Sequence, residues 1–155
     1  MKLHQVLESA PESSSAEYVA ERVRAAGRSL STSGLQGIET LYTRDVHFED
    51  PVLALQGRKA VMSYFARKFL NLDSCSLKFH QMLTGDTDIY LSWKLFVSHP
   101  RLKGGSTIRV EGASYLRTRN GKIYYQRNFF DLGEFLYENM PILGSIVKKV
   151  KRRIA

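Results

Sequence analysis

The sequence predicts an α+β fold: helices first, a long antiparallel meander after them, and a further helix added at the C-terminus. Three observations carry this. Apolar residues recur at helical spacing through the first part of the chain, at Val19-Val23, Leu35-Ile38 and Val61-Phe65. Four strand-length runs then fill residues 76–131, separated by turn chemistry. Nowhere do strands and helices alternate in the manner of parallel βαβ units, so helices and strands are segregated along the chain.

Residues 1–13 lack regular periodicity and read as a loose N-terminal arm, 14–140 as one domain, and 141–155 as a basic amphipathic helix. Ser14 and Glu17 have the spacing of a capping box, so a helix begins near residue 15 and runs to about residue 27. Tyr18, Val19, Val23 and Ala26 give it an apolar stripe. A serine-rich connection over 27–34 leads to a short second helix marked by Leu35, Ile38, Leu41 and Tyr42. Residues 46–50 are strand-like, and the Asp50-Pro51 step breaks the strand, because a proline constrains the residue before it. A third helix over 58–71 carries Val61, Tyr64-Phe65 and Lys68-Phe69 on one side. The strands that follow span 76–83, 89–99, 107–118 and 123–131. Asn120-Gly121 between the last two is the strongest short hairpin signal in the chain. In the strand over 89–99, alternation places Ile89, Leu91, Trp93, Leu95 and Val97 on one face. In the last strand Tyr125, Arg127, Phe129 and Asp131 alternate with Tyr124, Gln126, Asn128 and Phe130.

Composition bounds the function. At 155 residues, 43% apolar and 25% charged, the chain is long enough for one well-buried core and is neither disordered nor disulfide-built. Its single cysteine, Cys75, excludes an internal disulfide and a multi-cysteine metal site, and fits the reducing cytoplasm. No apolar run approaches the roughly 20 residues of a membrane span. The first residues lack the apolar centre of a secretion signal, so a cytoplasmic protein is expected. His4, His47, His80 and His99 have no ligand spacing, and neither a metal nor a cofactor is expected. Five of the net eight positive charges sit in Lys148, Lys149, Lys151, Arg152 and Arg153, leaving three for the rest. The body of the protein is therefore no nucleic-acid footprint, and no nucleic-acid partner is expected.

Two acids stand out. Phe48-Glu49-Asp50-Pro51, followed by Gly57 and an apolar helix, resembles the ketosteroid isomerase segment of the nuclear-transport-factor-2-like superfamily. The resemblance implies Asp50 as a general base; the residues alone favour an Asp-Pro turn whose carboxylate caps a backbone amide. Residues 127–135, Arg-Asn-Phe-Phe-Asp-Leu-Gly-Glu-Phe after Gly121-Lys122-Ile123, resemble the last strand of the SnoaL-like cyclases and limonene epoxide hydrolases. That implies Asp131 as an acid or base, against the ordinary alternatives of a pair with Arg127 or a helix N-cap. The superfamily implies a cone-shaped, strongly curved sheet over the helices, and a homodimer through the sheet's open face.

The departures narrow the chemistry. The epoxide hydrolases need an Arg-x-Asp pair in the strand that here spans 90–97, and neither residue occurs there. Arg109-Val110-Glu111 repeats the spacing one strand later. The aspartic acid of the isomerase oxyanion hole falls near Ala113 or Ser114, and Tyr18 matches its tyrosine only if 27–34 is an insertion. The expectation is a pocket for a lipophilic carbonyl or hydroxyl compound, with Asp131 and Asp50 as the catalytic pair. Tyr18, Phe65, Trp93, Arg109, Glu111, Tyr125, Arg127 and Phe129 are its candidate ligand-binding residues. Such a site either performs a cofactor-free isomerisation, cyclisation or hydration, or holds a lipid-like ligand without turnover. A dimeric accessory module with a filled core is the third reading.

The tail is a feature of its own. From Pro141, residues Ile142, Ile146, Val150 and Ile154 repeat every four positions, with the cations on the remaining face. Such a helix docks on the domain, closes a cavity mouth, or makes a peripheral contact with an anionic membrane.

Overall fold

The structure is a computed structural model that describes residues 12–30, 35–70, 72–133, 149–150 and 152–153. Helix α1 spans Ala16–Arg28. Its cap is Ser15, one residue beyond the expected Ser14: the Ser15 hydroxyl oxygen accepts from the Tyr18 N–H at 3.1 Å. Glu17 in the first turn and Arg28 in the last complement the helix dipole. Val19 and Ala20 are buried. Helix α2 is shorter than expected, Leu35–Glu39, because Leu41 lies in the turn after it and Tyr42 already begins the sheet.

The sheet has six strands: β1 Tyr42–Glu49, β2 Ala54–Gln56, β3 Ser74–Thr84, β4 Asp88–Ser98, β5 Ile108–Arg119 and β6 Lys122–Phe130. Helix α3, Arg58–Leu70, lies between β2 and β3 in sequence. The spatial order is β2-β1-β6-β5-β4-β3. Every neighbouring pair is antiparallel except β1 and β6, which run parallel. This is the expected α+β architecture, a curved and mostly antiparallel sheet packed against helices.

Local chemistry explains the turns. Asp50 ends β1, and Gly57, at a φ of +89°, lets the chain swing from β2 into α3. Asn120 and Gly121 both have positive φ, 52° and 71°, as a two-residue turn matching strand twist requires. The β4–β5 connection contains a 3₁₀ turn at Lys103–Gly105. Of the expected C-terminal helix, Lys149, Val150, Arg152 and Arg153 are described; they are helical and exposed. The manner in which that tail docks, and the N-terminal arm before residue 12, lie outside the described residues. Among the described residues no helix is long and apolar enough to cross a membrane.

The core sits between α1, α3 and one face of the sheet. Val46, Phe48, Val61 and Ile89 are wholly buried there, and Leu91, Trp93 and Val97 present the β4 face that alternation predicts. Trp93 lies directly opposite Gly112 on β5. A Cβ at Gly112 would come within 2.4 Å of two ring carbons of Trp93 and 2.7 Å of the Phe129 carbonyl oxygen. Both approaches are too close for a carbon atom, so the indole and the neighbouring β6 backbone must both shift. Gly112→Ala is expected to destabilise the fold by about 2 kcal/mol. It should also shift the emission of Trp93, the sole tryptophan. A wild-type denaturation midpoint and spectrum would refute this packing.

Candidate functional site

Between the sheet and the helices lies a cavity of about 610 Å³. Val23 and Ala26 of α1, Phe65 of α3, and Leu91, Leu95 and Val97 of β4 are among the apolar residues of its wall. Its polar groups fall into three sets.

The first set is centred on Asp50. Its side chain is 2% exposed. One carboxylate oxygen accepts from the Val52 and Leu53 N–H groups at 2.8 and 3.1 Å, which closes the turn after β1. The other accepts from the Tyr64 hydroxyl at 2.5 Å and from Lys68 Nζ at 3.4 Å. Four donors thus occupy the four lone-pair directions of the carboxylate. Lys68 Nζ also lies 4.5 Å from the centre of the Tyr64 ring. Desolvation, and then the hydrogen bond to Asp50, push the Tyr64 phenol well above its ordinary range, so it remains a donor.

The second set is a hydrogen-bonded chain across the cavity floor. The Trp93 indole N–H donates to the Ser114 hydroxyl oxygen at 2.9 Å, and that hydroxyl donates to Asn128 Oδ1 at 2.7 Å. The Gln126 amide donates to the same oxygen at 2.9 Å, and the Tyr42 hydroxyl donates to Gln126 Oε1 at 2.7 Å. Burial holds Tyr42 protonated by raising its pKa. Ser114 and Asn128 face one another across the β5–β6 ladder, which puts both side chains on one face. The Asn128 amide N–H groups have no partner among the described residues, and Asn128 borders the cavity.

The third set is basic: Arg67 and Lys68 at the end of α3, with His99 and Arg101 after β4. These segments are pinned together by the Asp73 N–H, which donates to the Ser98 carbonyl at 3.0 Å.

The structure brings together only part of the expected site. Asp50, Phe65 and Trp93 line the cavity. Tyr18 lies outside its wall, packing on the core with the Arg22 guanidinium 5.5 Å above its ring. Arg109 and Glu111 point away from it: both are half exposed or more and pair with each other at 3.0 Å, while Lys94 also reaches Glu111 at 3.0 Å. Tyr125 and Arg127 are on the outer face too, where Tyr125 stacks on His47 and Arg127 lies 3.6 Å from Glu49. Phe129 is 47% exposed beneath the Arg127 guanidinium. Asp131 is exposed and does not line the cavity. Gln126, Asn128 and Phe130 take the inward places instead. The cause is a shift of register between the Arg117–Tyr125 and Thr118–Ile123 pairs, an extra residue in β6 that exchanges the faces of the strand.

Tyr42, Tyr64, Lys68, Ser114, Gln126 and Asn128 are the polar wall that the sequence does not single out. The signal for Tyr64 and Lys68 is their i, i+4 spacing on the apolar side of α3. For Gln126 and Asn128 nothing in the sequence marks the bulge that turns them inward.

The fold has close relatives among solved structures. A protein from Jannaschia sp. CCS1, described as a SnoaL-like polyketide cyclase, superposes with a TM-score of 0.72 at 11% identity, over 86% of this chain and 98% of its own. TerC, co-crystallised with polyporic acid, gives 0.66 at 17% identity, over 76% and 95%. An epoxide hydrolase from M. tuberculosis resembling the limonene enzymes gives 0.65 at 12% identity, over 87% and 97%. At such identities the likeness is one of fold. No curated protein matches the chain by sequence. The model of the SnoaL-like domain, however, matches residues 23–126, the segment that carries both walls and most of the floor of the cavity; this chain belongs to the SnoaL-like domain family.

Proposed function

We propose that this chain is a cytoplasmic homodimer that binds a lipophilic small molecule bearing a carbonyl or hydroxyl oxygen. The observation that carries the reading is the cavity itself: about 610 Å³, largely apolar, with Asn128 at its floor, whose amide N–H groups have no partner among the described residues. A pocket of that size, with few polar groups set in apolar walls, suits a drug-sized ligand. The Asn128 N–H groups would donate to the ligand's oxygen, and the floor chain would hold them in place.

Binding fits the geometry better than two-carboxylate catalysis. Acid–base turnover by Asp50 and Asp131 needs both groups within reach of one substrate. Asp131 lies off the cavity wall, and Asp50 already accepts four hydrogen bonds. For the homodimer, support comes from the outer sheet face, where Tyr90 stacks on Tyr115 at 4.6 Å and Tyr115 meets Tyr125 edge-on at 5.9 Å. Tyr90 is exposed and Tyr115 and Tyr125 partly so, and aromatics of this kind are what interfaces cover.

Native mass spectrometry of gently purified protein, followed by denaturing extraction, tests the reading. One lipophilic compound per chain is expected, and Asn128→Leu should lower its affinity about tenfold through loss of an oriented donor. Failure to retain any compound, together with no thermal shift from lipophilic ketones, would refute the proposal.

A further inference from the structure

We infer that the ligand carries a carboxylate, which the mouth of the cavity holds while the apolar body lies inside; this rests on the binding reading above. The argument comes from which polar groups the wall offers and where. Arg67, Lys68, His99 and Arg101 border the same cavity. Asp50 is the one acid on that wall among the described residues, and it is satisfied by the turn after β1, by Tyr64 and by Lys68. Arg67 and Arg101 have no acidic partner among the described residues.

Arg67, Lys68 and Arg101 are also donors only. Guanidinium and ammonium groups have no acceptor to offer. His99 is fixed in the same sense, because its Nδ1 accepts from the Arg101 N–H at 3.0 Å. Its ring proton is then on Nε2, leaving a donor. A rim of donors with surplus positive charge is complementary to an acceptor-only anion, and a planar carboxylate matches a guanidinium two bonds at a time.

The rim is built on ordered backbone. Asp73 N–H bonds to the Ser98 carbonyl, the Leu102 N–H to the His99 carbonyl at 3.0 Å, and the Gly105 N–H to the Leu102 carbonyl at 2.9 Å. The first bond ties the segment after α3 to the end of β4, and the other two shape the start of the β4–β5 connection. Leu72 and Leu102 border the cavity beside the cations, so the charged groups meet an apolar wall directly. An amphipathic anion fits that sequence of surfaces; a neutral alcohol of equal length leaves the guanidinium groups without a counter-charge.

The test compares dodecanoate with 1-dodecanol, each below its aggregation limit, by calorimetry on the full-length wild type and on an Arg67→Gln/Arg101→Gln double variant. Both arginines are exposed, so the variant should fold as the wild type does. We expect a preference for the carboxylate of about tenfold, from two or three partly solvated ion pairs, falling to near parity in the variant. The preference should also weaken as salt is raised. Equal binding of both probes, or a preference that survives the double substitution, overturns the carboxylate assignment while leaving the cavity reading intact. Dodecanoate gathered by the C-terminal cations would give that second result. Binding of neither probe overturns both.

Discussion

Asp50→Ala is expected to destabilise the fold by about 3–4 kcal/mol, more than any other single polar substitution in the cavity wall. The carboxylate is almost wholly buried and closes two structures at once. Its removal strands the Val52 and Leu53 amides at the turn that sends β1 into β2. It also leaves the Tyr64 hydroxyl without its acceptor and Lys68 without a counter-charge against the cavity. Asp50→Asn should recover about half of the loss, because an amide oxygen still serves the turn while its nitrogen faces two donors badly. Urea denaturation of the two variants measures this. Identical midpoints for wild type and Asp50→Ala would show that the four bonds contribute nothing net. The comparison also bears on chemistry: a general base would lose turnover in the asparagine variant with the fold largely kept.

Phe48→Ala is the second large effect, about 4 kcal/mol. Phe48 is the largest of the fully buried side chains and stands on β1 between the parallel and antiparallel ladders. Its ring meets Phe65 edge-on at 5.4 Å and Tyr64 at 5.9 Å, so one substitution opens the contact between β1 and α3. Since Phe48 also lines the cavity, the space it vacates joins that cavity. A domain of ordinary stability, roughly 5–15 kcal/mol, would survive weakened. Chemical denaturation should show the loss, and the variant should accept a bulkier ligand than the wild type. A destabilisation below about 1 kcal/mol would mean that the wall collapses to fill the gap.

The sequence reveals the fold far better than the site, and particular residues show why. Asn120-Gly121 encodes its own backbone geometry, so the last hairpin is legible to the residue. Ile89, Leu91, Trp93 and Val97 keep strict alternation because β4 lies between two long partners without a bulge against β5. The three-residue β2 has no periodicity to detect and exists because Gln56, Leu55 and Ala54 find partners on β1. The site depends on β6, where Ile123 faces inward and simple counting would carry Tyr125, Arg127 and Phe129 inward after it. A single extra residue there reverses the outcome. Bulges arise from how neighbouring strands fit, a tertiary fact that no local pattern records. Asp50 was visible as a residue of consequence, but its four donors come from the turn and from one face of α3, and only the fold assembles them.

The parallel pairing of β1 with β6 has a consequence for biosynthesis. Tyr42 lies beside Ile123, and β6 alone joins the β1–β2 ribbon to the rest of the sheet. While the ribosome is still making β5, that ribbon has no further partner in the sheet and the cavity lacks most of its floor, for Gln126 and Asn128 do not yet exist. Contacts so distant along the chain form late and slowly. The cavity therefore gains its floor only once β6, the last strand of the sheet in chain order, has been made.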